Sequence, residues 1–185
     1  MLIRPGILVL AVLFAGCIFT PREPDGEPGA PCFEAVTAPN DPIEVIFNMD
    51  GALECSQASD YLRQLSEEFV FIPAPSVQAN HPDLFPVEDA WGKSQEEAFL
   101  DALFRDSGQE LESSLLLTLI ERSGTSEILI EARYLLTISA GTSQFVYTGE
   151  AFYTFRQENT VWVMVRWEEK ESDLPLGALK ADLVS

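Results

Sequence analysis

The chain has 185 residues, 46% of them hydrophobic, and 11 Lys and Arg against 30 Asp and Glu give it a formal charge of −19. So acidic a polypeptide lacks the clustered cations that a phosphate backbone requires, which argues against nucleic acid as a partner and against electrostatic adhesion to anionic lipid. Without a His-x-x-x-His, paired-cysteine or D-x-D-x-D-G spacing, no metal site of recognisable type is expected, and no motif implies a cofactor.

Residues 1–16 have the layout of an export signal, with Arg4 near the start, an apolar middle, and the small residues Ala15 and Gly16 before Cys17. The uncharged stretch Pro5–Phe19 is 15 residues long, short of the roughly 20 that a spanning helix needs. Phe14-Ala15-Gly16-Cys17 resembles the lipobox of bacterial lipoproteins, with Phe14 where leucine is usual. The resemblance implies cleavage before Cys17, acylation of its thiol, and membrane contact made through lipid. One acyl chain holds a protein only marginally, whereas the two or three of such lipoproteins hold it durably. Ile18, rather than Asp, follows the cysteine, which implies the outer membrane in a cell that has two. The alternatives are an ordinary secretory signal with Cys17 as a buried thiol, or an uncleaved anchor.

Residues 17–40 carry Pro21, Pro24, Pro28, Pro31 and Pro39 with Gly26 and Gly29, and no apolar periodicity, so they are expected to form an extended tether. Cys32 and Cys55 are an even pair for an oxidising compartment; their spacing fits a bridge from tether to first helix and two free thiols equally well.

A single domain over 41–172 is expected, followed by a tail, 173–185, whose scattered leucines could dock on it. Asp41-Pro42-Ile43-Glu44 reads as a helix start, with Asp41 as cap and Pro42 in the first turn. A second helix carries Tyr61, Leu62, Leu65 and Phe69 before a strand at 69–72, closed by Pro73 and Pro75. The prolines of 76–92 predict irregular chain, and Ser94 to Glu97 reads as the capping box of a third helix burying Phe99, Leu100, Leu103 and Phe104. Four strands follow, Leu115–Glu121, Ile128–Ala140, Gln144–Arg156 and Val161–Trp167, separated by short polar breaks that predict an antiparallel meander. Ile128, Ile130, Ala132, Tyr134, Leu136 and Ile138 alternate onto one face, which the helices must cover. The expected class is α+β.

The order helix–helix–strand–helix–four strands resembles the nuclear transport factor two-like, or SnoaL-like, family. Asp60–Phe71 is similar to its second helix and first strand, and Gly149–Arg156 with Val161–Glu168 to its closing hairpin. The resemblance implies a cystatin-like cone, three N-terminal helices packed on a curved antiparallel sheet. Members such as ketosteroid isomerase and scytalone dehydratase place acid–base residues inside the cone; others hold an apolar cavity or associate through the sheet, so fold alone does not settle function.

An isomerase-like site needs a carboxylate base and an enolate-stabilising donor pair in an apolar pocket. The position where such enzymes tend to carry tyrosine is matched by Leu53. Among Asp60, Tyr61, Arg133, Tyr134, Glu150 and Tyr153, alternation puts Glu150 and Tyr153 on opposite faces, so no catalytic set is assigned. His81 is read as a solvated loop residue, Trp91 as a pocket lid, Tyr134 as a pocket residue, and Trp162 or Trp167 as core. The expected function is that of a non-enzymatic envelope lipoprotein holding a small apolar ligand or a protein partner, with homodimerisation through the sheet as one form of assembly. The alternative is an isomerase or hydratase using an Asp or Glu and a Tyr.

Overall fold

The computed structural model describes residues 32–35, 37–86, 91–105, 111–124, 126–140 and 143–184. The signal 1–16, Cys17 and the first part of the tether lie outside the described residues.

Asp41 caps α1 (Pro42–Glu54) by accepting from the Ile43 amide at 2.9 Å, and Pro42 occupies the first turn, where a missing N–H costs nothing. Glu44 accepts from the Asn40 amide at 2.8 Å, one residue before the cap. Val45, Met49, Ala52 and Leu53 face the core.

The second helix, α2 (Ala58–Arg63), is shorter than expected, because β1 (Leu65–Ile72) takes Leu65 and Phe69. Spacing of four suits either element. The Met164 amide, which donates to the Gln64 carbonyl at 2.9 Å, joins this segment to the sheet.

The proline-rich stretch is not wholly irregular. Pro75 opens a short helix, α3 (Pro75–Asn80), since proline is compatible with a first turn. Next come β2 (Trp91–Gly92) and α4 (Lys93–Arg105), which starts one residue before Ser94. The return bond to the Gly92 amide comes from Gln95 at 3.1 Å, not from Glu97.

The strands β3 (Leu111–Gly124), β4 (Glu127–Ala140), β5 (Ser143–Glu158) and β6 (Val161–Glu169) form the expected antiparallel meander. The sheet order is β2-β1-β6-β5-β4-β3, and β1 runs parallel to β6, with Val70 opposite Arg166 and Phe71 opposite Trp167. Gly124 has φ +97°, and a Cβ there would collide with the Glu127 carbonyl, so the turn into β4 requires glycine. Register irregularities at Leu119/Glu121 and Thr154/Phe155 help bend the sheet. The inner face of β4 is buried from Ile128 to Ile138 as alternation requires, whereas the outer face carries ion pairs such as Arg133–Glu150 at 3.0 Å.

Cys32 is disulfide-bonded to Cys55 with Cα atoms 5.7 Å apart; the Phe33 ring packs on Gly51, and the Trp162 amide donates to the Pro39 carbonyl at 2.9 Å. At the other end, α5 (Leu176–Val184) buries Leu176, Leu179, Lys180 and Ala181. One compact unit spans 31–185.

Candidate functional site

The interior between helices and sheet is polar at its centre. Glu96, in the first turn of α4, and Lys180, from α5, are both 0% exposed and form an ion pair. Glu96 also accepts from the Tyr61 hydroxyl at 3.2 Å and the Trp91 indole N–H at 2.9 Å. The Lys180 ammonium lies 4.5 Å from the ring centroids of Phe71 and Phe99, 5.5 Å from Trp91 and 6.0 Å from Trp167. Ring faces attract a cation most strongly where water is excluded. Burial pulls the Lys180 pKa down, opposed first by Glu96 and then by Glu169. Burial, reinforced by Glu96, holds Tyr61 well above the usual tyrosine range, so it stays a proton donor.

Glu169, at the end of β6, forms the second half of the site. Its Oε1 accepts from the Tyr134 hydroxyl at 2.6 Å and the Leu176 amide at 2.9 Å, and its Oε2 from the Gly177 amide at 3.0 Å and the Ala74 amide at 3.3 Å. One carboxylate thus caps the start of α5 and ties it to two strands and the segment before α3. Burial raises the Glu169 pKa, against the pull of Tyr134 and of the amides. Tyr134 is pushed far above its ordinary value by burial and by Glu169. Beside them, the Tyr153 hydroxyl and the Trp167 indole N–H are buried without hydrogen-bond partners among the described residues, their rings 4.9 Å apart.

No family model matches the sequence, and no curated protein is similar to it. Among solved structures, the chain is similar to the beta subunit of the benzoate 1,2-dioxygenase from Burkholderia mallei, with TM-score 0.56 and 11% identity over 72% of this chain and 91% of that one. It is similar also to a protein of Novosphingobium aromaticivorans assigned as a scytalone dehydratase, with TM-score 0.52 and 11% identity over 70% and 80% of the two chains. A Thiobacillus denitrificans protein assigned as a calcium/calmodulin-dependent protein kinase type II association domain gives TM-score 0.51 and 16% identity over 74% and 98%. The fold is the nuclear transport factor two-like cone.

Among the described residues, apolar grooves lie on the surface of this cone. One, of about 210 Å³, runs between α1 and strands β3 and β4, where Phe47 is 55% and Leu116 62% exposed. Asp50 opens onto it; Oδ1 accepts from the Leu115 amide at 2.6 Å, while burial raises the carboxyl pKa. The other, of about 230 Å³, is lined by Phe71, Pro73, Gln78, Phe85 and Trp91. Neither is lined by Glu96, Glu169 or Lys180.

Trp91 is a buried wall of the second groove, stacked on Phe85 at 5.1 Å. Tyr134 sits in the Glu169 network and lines neither groove. Tyr61 and Tyr153 face the interior; Asp60 pairs with Arg63, Glu150 with Arg133 on the outer face, and Leu53, Trp162 and Trp167 are core. His81 ends α3, half-buried, and among the described residues no group of three or more His, Cys, Asp or Glu is placed to hold a metal. No helix among them is long and apolar enough to cross a membrane.

Sequence reasoning missed Asp50, Glu96, Glu169 and Lys180. Glu96 lies within the capping sequence Ser94–Glu97, and Glu169 is surrounded by the charged residues Glu168, Lys170 and Glu171. Lys180 had one signal, its place four residues after Leu176 on the buried stripe of the tail.

Proposed function

We propose that this chain is a binding module of the bacterial envelope rather than a catalyst, held to the membrane by acyl groups on Cys17, at the outer membrane where there are two. One observation carries the non-catalytic part: both buried carboxylates among the described residues are already engaged. Glu96 is occupied by Lys180, Tyr61 and Trp91, and Glu169 by Tyr134 and three backbone amides. A general base must reach a substrate proton from an open position. A small ligand or a protein partner, a second copy included, completes the reading.

Detergent phase partition of the full chain expressed in bacteria tests the anchor. Wild type is expected in the detergent phase and Cys17→Ala in the aqueous phase with an unchanged melting temperature; identical partition refutes lipidation. A SnoaL-like isomerase or hydratase is the second reading, favoured by Asp50 on its apolar groove. Solvent deuterium exchange into an enolisable ketone, abolished in Asp50→Asn, would select it.

A further inference from the structure

We infer that the interior of the cone is a binding site for a small organic ammonium ion, and that Lys180 is its built-in occupant. The inference rests on the reading of the domain as a binding module and names its ligand class.

The Lys180 ammonium sits among four aromatic rings, of Phe71, Phe99, Trp91 and Trp167, with the Glu96 carboxylate as counter-charge. Tyr61 and Trp91 each donate to Glu96, fixing it as an acceptor for a cation. This is the chemistry that recognises ammonium groups: desolvated ring faces and one oriented anion. An apolar residue of similar volume would fill the space without the desolvation that a buried ion pair incurs.

The occupant is carried on an element of its own. Lys180 belongs to a nine-residue end helix whose start is held by hydrogen bonds to Glu169 and Tyr134, with the half-exposed Leu174 ahead of it. Beside the cage, the Tyr153 hydroxyl and the Trp167 indole N–H are buried without hydrogen-bond partners among the described residues. Lys180 leaves these donors unused, so a guest bearing an acceptor beside its ammonium would satisfy more of the site than Lys180 does. When α5 lifts, the site accepts a primary ammonium on a short apolar stem.

The test uses the full chain with n-butylammonium, which reproduces the lysine stem and head, against 1-butanol as its neutral counterpart. In Lys180→Ala, butylammonium should produce a saturable change in tryptophan fluorescence and raise the melting temperature, binding about tenfold or more tightly than butanol. Glu96→Gln/Lys180→Ala should erase that preference. In wild type, butylammonium should raise hydrogen exchange in residues 176–184 in a saturable way. Equal responses to amine and alcohol in Lys180→Ala, or exchange of α5 in wild type that the amine leaves unchanged, would overturn the inference. If Lys180→Ala does not fold alone, refolding from urea decides: recovery with the amine and not the alcohol supports the site, and recovery with both or neither refutes it. Cys17-dependent partition is untouched by any of these outcomes, so failure here is distinct from failure of the anchored-module reading.

Discussion

Near the N-terminus, a disulfide joins Cys32 to Cys55, Phe33 rests on Gly51, and the Pro39 carbonyl is bonded to Trp162; at the C-terminus, α5 is held by the buried Lys180–Glu96 pair and by Glu169 across its first amides. Both fasten a chain end to the same domain, by different physics. The covalent fastening acts largely by restricting the unfolded chain and depends on an oxidising environment. The ionic fastening depends on desolvated charges meeting in one geometry, so it is sensitive to pH and open to competition from another cation.

The largest effect should come from breaking the ionic fastening on one side. Glu96→Gln leaves a buried ammonium without a counter-charge and should cost about 3–5 kcal/mol in urea denaturation, whereas Glu96→Met/Lys180→Met should recover most of that loss. Equal losses in the single and double variants would show that α5 is held by packing alone. Next, Cys32→Ser/Cys55→Ser should cost about 2–4 kcal/mol, as expected for a crosslink spanning 23 residues, while hydrogen exchange of α5 stays as in wild type. Loosening of α5 in that variant would mean that the two fastenings are one cooperative unit.

A smaller effect is the pH dependence of Glu169. Burial holds its folded pKa above the unfolded value, so it contributes stability that is full below the unfolded value and is lost as pH rises through the folded one. Relative to Glu169→Gln, wild type should therefore gain stability as pH falls through the mildly acidic range; parallel pH profiles would show that Glu169 titrates alike in both states. Smallest of all is Arg133→Met. Arg133 is 69% exposed in its pair with Glu150 and fastens neither end, so its denaturation midpoint should match wild type.

What was legible in the sequence was local. The Asp41–Pro42–Glu44 cap and the four long strands depend on neighbours a few positions away, and the alternation of β4 correctly put Tyr134 inside. The same period separated Tyr153 from Glu150. The overlooked features are nonlocal or masked by composition. Proline in a first turn hid α3, and the scattered leucines of the tail pointed to docking without announcing the helix α5. Glu96 and Lys180 are 84 positions apart, so nothing in either neighbourhood announces the other.

The parallel pairing of β1 with β6 has a kinetic consequence. Leu65 meets Met164 about a hundred positions later, and the Ala74 amide reaches Glu169 across 95. Closing so wide a loop spends chain entropy before contacts return it, which places refolding on the order of milliseconds to seconds, slower than a helical bundle of equal size. As the polypeptide leaves the ribosome, β1 waits with one edge unpaired until β6 emerges, and α5 docks after it. Truncations that stop short of residue 161 should consequently stick to chaperones, since their exposed β1 edge has nothing native to join.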